Sequence, residues 1–251
     1  MVLISTVMIA LLAGCSGEVK ASPKPTQHGT TPPPLVAPFF NDQTGSSTLV
    51  LVDPMRAQSF DRIIAYGRMN GCDIALGAIR SRSNRPLVRL FVDTPEAKPL
   101  PPADDNIYAA IEEDAAYKAA VAKWQRGESE RVRKADAAIA AFRADAGKLL
   151  AHPANARSTD LNGAIERARL FLNERRAFSN AASVTPMRAA IFMTDGIETA
   201  SKAITAKPLD ADVIVIVVND SAAVLPTLHP LAFEALTPAV SWLCRHAEEV
   251  R

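Results

Sequence analysis

Hydrophobic and polar positions divide this chain into an apolar N-terminal run, a proline-rich stretch and a long region where strand-like and helix-like patterns alternate. Residues 48–52 are continuously apolar or β-branched and end at Asp53-Pro54, which predicts a first strand buried on both faces. Residues 59–69 place Phe60, Ile63, Ile64 and Met69 at near-helical spacing, with Ser59 as N-cap and Asn70-Gly71 as the stop. Residues 73–79 and 87–92, separated by the polar Arg80-Ser81-Arg82-Ser83-Asn84-Arg85, predict a hairpin. Further strands are expected at 188–194 and 213–218, with helices at 160–172 and 231–250. Alternation of this kind predicts an α/β fold around a doubly wound, mainly parallel sheet.

Residues 104–151 interrupt that rhythm with an Ala-rich insertion that has no proline and is expected to be helical. Val132, Ala135, Ile139, Phe142, Ala146 and Leu149 follow 3-4 spacing, and Tyr117, Val121 and Trp124 form a weaker stripe ahead of them. One unbroken helix would run about 70 Å, so the insertion either projects or folds back at Arg126-Gly127-Glu128 into a helical hairpin, the form slightly preferred. Such an arm is a candidate docking element or homodimer coiled coil. The alternative is an enlarged helix packed on the sheet, with Ser129-Glu130-Arg131-Val132-Arg133-Lys134 as its solvated face.

The apolar run at residues 2–14 is shorter than the roughly 20 residues that a spanning helix needs and is expected to be a signal-peptide core, a buried apolar helix being the competing reading. Its end, Leu12-Ala13-Gly14-Cys15, resembles the lipobox of bacterial lipoprotein precursors. That resemblance implies a mature N-terminus at Cys15, acylated and held in membrane lipid. No Lys or Arg follows Met1, where a basic leader is expected, which leaves open a true start upstream. Ser16, in place of the Asp that retains such proteins at the inner membrane of enteric-type bacteria, implies the outer membrane. Pro23, Pro25, Pro32-Pro33-Pro34 and Pro38 make residues 15–47 a lipidated N-terminus and linker, able to reach up to about 90 Å. The expected organisation is thus a signal peptide at 1–14, this linker, and a folded domain at 48–251.

In doubly wound sheets, ligands bind beyond the carboxyl ends of the strands. The residues expected there are Asp53, Thr159 and Thr194-Asp195-Gly196. Residues 190–198, Ala-Ile-Phe-Met-Thr-Asp-Gly-Ile-Glu, and residues 159–166, Thr-Asp-Leu-Asn-Gly-Ala-Ile-Glu, resemble the von Willebrand factor A (vWA) domain over about residues 48–250. The metal-ion-dependent adhesion site of that family takes Asp-x-Ser-x-Ser, a Thr and Thr-Asp-Gly from three such loops. The resemblance implies a binding rim of Asp53, Arg56, Thr159, Thr194 and Asp195. It implies Asp53, Thr159 and Asp195 as oxygen donors to Mg2+. The first loop departs from the pattern, reading Asp53-Pro54-Met55-Arg56-Ala57 without hydroxyls, so the site is degenerate. Either waters, with Ser59, complete an ion's shell, or the Arg56 guanidinium offsets Asp53 and Asp195 with no metal, or Arg56 is solvated and Asp53 caps the next helix.

Other chemistry is sparse. Lys and Arg number 28 against 27 Asp and Glu, which leaves no electrostatic footprint for nucleic acid. His28, His152, His229 and His246 fall in no metal or catalytic motif, and no phosphate loop or nucleophile elbow is present. Of the three cysteines, Cys72 and Cys244 remain after lipidation and either pair as a disulfide or stay buried thiols. The expectation is a membrane-anchored extracytoplasmic lipoprotein of the cell envelope. Its vWA-like domain would bind another protein without catalysis. An envelope assembly factor acting through the helical arm, or an extracytoplasmic hydrolase, is the alternative.

Overall fold

The first described strand, β1 (Leu35–Asp42), lies inside the stretch expected to be linker. The computed structural model describes residues 32–45, 55–101, 109–151, 155–174, 176–179, 184–197, 199–201, 203–205, 207–217 and 228–249. The apolar run, Cys15, the segment 48–52 and Asp53 therefore lie outside the described residues. Pro38 is what makes β1 look like linker, because a proline cannot donate to a ladder and argues against a central strand. β1 pairs with β2 (Cys72–Ile79) from Leu35 to Asp42, whereas its ladder to β4 (Met187–Met193) skips Ala37 and Pro38. The missing N–H is thus accommodated on one edge of the strand alone.

β3 (Val88–Val92), β5 (Val213–Val217) and β6 (Leu231–Phe233) complete a six-stranded sheet of order β3-β2-β1-β4-β5-β6. Only β3 runs antiparallel; the expected mainly parallel α/β sheet is what the structure shows. Residues 231–250, expected as one helix, divide into β6 and a helix, because Leu231–Phe233 pairs with β5.

Strand alternation sorts the core into two layers. Leu35, Ala37, Phe39, Ile74, Leu76, Ile191 and Val215 face one helical layer, and Phe40, Ala75, Ile79, Phe192 and Ile216 face the other. The first layer holds α1 (Asp61–Asn70), the second half of α2 (Ala109–Leu150) and α4 (Leu236–Glu249); α3 (Leu161–Asn173) forms the second. Phe60 joins sheet to α2, meeting Phe39 and Phe142 edge-on at centroid distances of 5.1 and 5.5 Å. Ser59, expected as the N-cap of α1, instead sits within a 3-10 turn, Ala57–Phe60, that leads into it.

The insertion is one continuous helix and not a hairpin. Its 42 residues span roughly 63 Å at 1.5 Å per residue. Gly127 does not break it, because the next turn is stapled to the body: Arg131 forms an ion pair with Glu128 and donates to the carbonyls of Arg68 and Asp93 at 3.1 and 3.2 Å. The cost of an isolated helical glycine, about 1 kcal/mol, is small beside such contacts. Ala135, Ile139, Phe142 and Ala146 are buried as their spacing predicts. Tyr117, Val121 and Trp124 are half-buried, with Trp124 Nε1 donating to the Glu96 carbonyl at 2.9 Å. Among the described residues, no helix is long and apolar enough to cross a membrane.

Candidate functional site

β1 and β4 are parallel neighbours with Asn41 opposite Met193, so the residues that follow, Asp42 and Thr194, emerge side by side at the carboxyl edge of the sheet. The Thr194 hydroxyl donates to Asp42 Oδ2 at 2.7 Å, and the Thr44 N–H donates to Asp42 Oδ1 at 2.9 Å. Gly196, at φ +73°, turns the chain so that its N–H reaches Thr194 Oγ1 at 3.0 Å. Asp195 Oδ1 accepts the Ile197 N–H at 3.0 Å. Its other oxygen, Oδ2, is buried without a hydrogen-bond partner among the described residues.

Thr159 arrives from the turn before α3. Its hydroxyl donates to Thr44 Oγ1 at 3.4 Å, and its N–H donates to Thr199 Oγ1 at 2.7 Å. The Thr159 carbonyl accepts the N–H groups of Thr199 and Ala200, which ties this turn to the loop after β4. Asp160, the N-cap of α3, accepts the Gly163 N–H at 2.9 Å. Asp42, Thr44, Thr159, Thr194 and Asp195 are each at most 8% exposed, so five polar side chains share one nearly dry corner.

Gln43 braces that corner. Its N–H bonds the Ile79 carbonyl, its carbonyl accepts the Ala156 N–H, and its Nε2 donates to the Leu149 carbonyl at 2.9 Å. Its Oε1 accepts from Arg80 Nε at 2.7 Å and from Arg80 Nη2. Burial is the main cause that raises Asp42 above the ordinary carboxylate range. The bonds from Thr194 and Thr44 oppose the rise, and the Asp195 charge adds to it.

The structure brings together three of the expected rim residues, Thr159, Thr194 and Asp195, and seats them against an acid that sequence reasoning missed. That acid is Asp42; Asp53, the acid expected at the rim, lies outside the described residues. The missed signal is Asp42-Gln43-Thr44-Gly45-Ser46, an acid followed by hydroxyls at alternate positions, hidden because Pro38 had assigned the preceding strand to a linker. Ser46 lies outside the described residues. Arg56 does not act as the compensating charge for Asp195. It is exposed, pairs with no carboxylate among the described residues, and its N–H bonds Ser59 Oγ at 3.1 Å.

Cys72 and Cys244 are both buried free thiols, so the candidate disulfide is absent. Cys72 Sγ fills the space that Gly67 of α1 leaves open, and burial pushes the Cys72 thiol up to about 12 and the Cys244 thiol up to about 11.

Among the described residues, no group of three His, Cys, Asp or Glu side chains could hold a metal. The donor set at the rim is of another kind: two carboxylates and two threonine hydroxyls, all hard oxygens suited to Mg2+ or Mn2+. The unpartnered Asp195 Oδ2 is the atom here that would gain most from a cation, since a buried carboxylate oxygen without a donor is costly. A scan against protein-family models finds no match for this chain, and a search of curated proteins finds none.

Proposed function

We propose that this chain is a membrane-anchored extracytoplasmic lipoprotein of the cell envelope, and that its vWA-like domain is a non-catalytic module that binds another protein. The observation that carries the reading is Asp195 Oδ2, buried and unpartnered beside the buried Asp42 carboxylate. The strand order, with three loops converging beyond β1 and β4, supports the vWA resemblance. In that family's first loop pattern, Asp-x-Ser-x-Ser, the segment Asp42-Gln43-Thr44-Gly45-Ser46 keeps the acid and both hydroxyls. It thereby replaces the degenerate Asp53-Pro54-Met55-Arg56-Ala57.

Asp42, Thr44, Thr159 and Asp195 would hold the Mg2+ ion. When bound, the ion would offer an open coordination position to an acidic group of the partner. The chain's own residues fix the frame for this: Thr194 and the Thr44 N–H orient Asp42, and the Ile197 N–H holds one Asp195 oxygen while the other, Oδ2, has no partner among the described residues. Acylated Cys15 would anchor the module in membrane lipid, at the outer membrane by the Ser16 criterion.

Thermal unfolding in Mg2+ or Mn2+ tests this. A filled site at ten times its Kd adds about 1.4 kcal/mol, or roughly 3–6 °C for a domain of this size. The Asp195→Asn variant should show no such rise. A wild-type melting temperature indifferent to both ions at millimolar concentration overturns cation-dependent binding.

A second reading has its own observation. The half-buried stripe Tyr117, Val121 and Trp124 continues the seam of α2 beyond the turns that pack on the sheet. The arm would then carry the contact, as a homodimer or envelope assembly element. Tyr117→Lys with Val121→Lys would abolish partner capture under this reading and spare it under the first.

A further inference from the structure

The loop between β2 and β3 carries Arg80, Arg82 and Arg85 within six residues, with only serines and an asparagine between them. Elsewhere, Arg68, Arg89, Arg131, Arg133, Arg143, Arg169 and Arg188 each face a carboxylate within ion-pair distance, while Arg56 stands alone among the described residues as a single exposed charge and not in a cluster. The three loop arginines pair with no carboxylate among the described residues, and Arg82 and Arg85 are exposed. Arg80 turns inward to Gln43, and there its own burial and the charge of Arg85 hold its pKa below the usual value. Like charges that act on one another, with no carboxylate paired to them among the described residues, do not serve stability.

The loop is also rigidly placed. Ser83, 2% exposed, is its plug: its N–H donates to Asp160 Oδ2 at 2.7 Å and its hydroxyl to the Asp160 carbonyl at 2.8 Å. Arg167 Nη1 donates to the Ser83 carbonyl at 3.0 Å, and the Asp160 N–H to the Arg80 carbonyl at 2.9 Å. Asp160 directly follows Thr159, so the loop is bolted to the segment that supplies one of the rim hydroxyls. Because Asp42 is in register with Ile79, Arg80 begins one strand away from the rim acid, on the side opposite Asp195.

We propose that this loop is a second contact point for the same partner, in which Arg82 and Arg85 bind a further carboxylate on an acidic, extended segment of a protein. The proposal rests on the rim reading above and adds its specificity. Neighbouring strands lie about 4.8 Å apart and an extended chain rises about 3.3 Å per residue. Acids one or two residues apart could therefore reach both the rim and the loop. A guanidinium fork matches a carboxylate in two parallel hydrogen bonds, and a loop already fixed by Ser83 loses little freedom on binding. The loop offers no apolar side chain between its arginines to enter a lipid surface, which favours a protein segment.

Fluorescence polarisation with two acetylated and amidated glycine-rich peptides, one carrying a single Asp and the other Asp-Glu-Asp, tests this on the intact protein in Mg2+. The wild type should bind the triple-acid peptide at least tenfold more tightly. The exposed-loop variant R82E/R85E should keep Mg2+-dependent binding of the single-acid peptide and lose the preference. Equal affinity of the wild type for both peptides, or an undiminished preference in the variant, overturns the second contact point while leaving the rim intact. Failure of the wild type to bind either peptide in Mg2+ overturns the rim reading and this proposal with it. Arginine-dependent binding of phosphatidylglycerol vesicles without any peptide preference would assign the loop to a lipid surface instead and overturn it too. Unchanged melting temperature of R82E/R85E in ion-free buffer shows that the variant is folded.

Discussion

Two buried aspartates on the sheet are treated in opposite ways. Asp73, on β2, has Arg89 Nη2 at 3.0 Å from its Oδ2, and the same guanidinium reaches Glu174 and lies 4.6 Å from the Phe171 ring centre. Asp42, on β1, accepts from the Thr194 hydroxyl and the Thr44 N–H, and the charge of another acid, Asp195, acts on it. Burial raises both carboxyls, but Arg89 pulls Asp73 back whereas Asp195 pushes Asp42 further. Each cluster also keeps an unpartnered oxygen, Asp73 Oδ1 and Asp195 Oδ2. What separates them is charge: Arg89 lies against the first acid, whereas the charge that raises Asp42 further is that of Asp195.

The comparison breaks most sharply at Arg89. Arg89→Met strands Asp73 in the core and should cost about 3 kcal/mol in urea unfolding, since removing one member of a buried pair leaves an uncompensated charge. Adding Asp73→Asn should recover part of the loss; a cost under about 1 kcal/mol would show that Asp73 needs no internal cation.

A smaller effect is expected in the pH dependence of the ion-free protein. Because folding raises the Asp42 pKa, its contribution to stability is fully present below the ordinary carboxylate range and is lost as pH rises through the higher folded value. The free energy of urea unfolding should therefore fall as pH rises across that interval. Mg2+ should offset the loss at the upper end, and Asp42→Asn should flatten it. A wild-type stability that rises steadily over the same interval would contradict the assignment.

The smallest effect is expected at Arg56. Arg56→Ala should change stability by no more than about 0.5 kcal/mol, as surface substitutions usually do, and leave the ion-induced melting shift unaltered. A lost or enlarged shift would restore Arg56 as the rim's own counter-charge.

How much of this was legible follows from which signals are local. β2, β3, β4, β5 and α3 announce themselves through alternation, buried apolar runs and a capping aspartate. Thr159, Thr194 and Asp195 could be read because each sits just beyond a recognisable element. β1 could not, because Pro38 is tolerated only through the one-sided gap in its ladder to β4, a fact of the sheet and not of the segment. β6 is only three residues long, and its pairing with β5 is what makes it a strand. The seam of α2 was visible in its spacing, yet its straight course through Gly127 depends on Arg131 gripping carbonyls from two distant segments.

The amino-acid order alone determined the α/β class, the buried stripe of α2 and the hydroxyl and acid of the last two rim loops, because periodicity and turn chemistry act over a few neighbouring residues. Only the tertiary structure decided that Asp42 joins Asp195, that Arg56 stands apart and that the arginine loop is fastened beside Thr159. Those relations run between residues far apart in the chain. They exist only once strand register and burial have placed them together, and the same burial raises the Asp42 carboxyl beside Asp195.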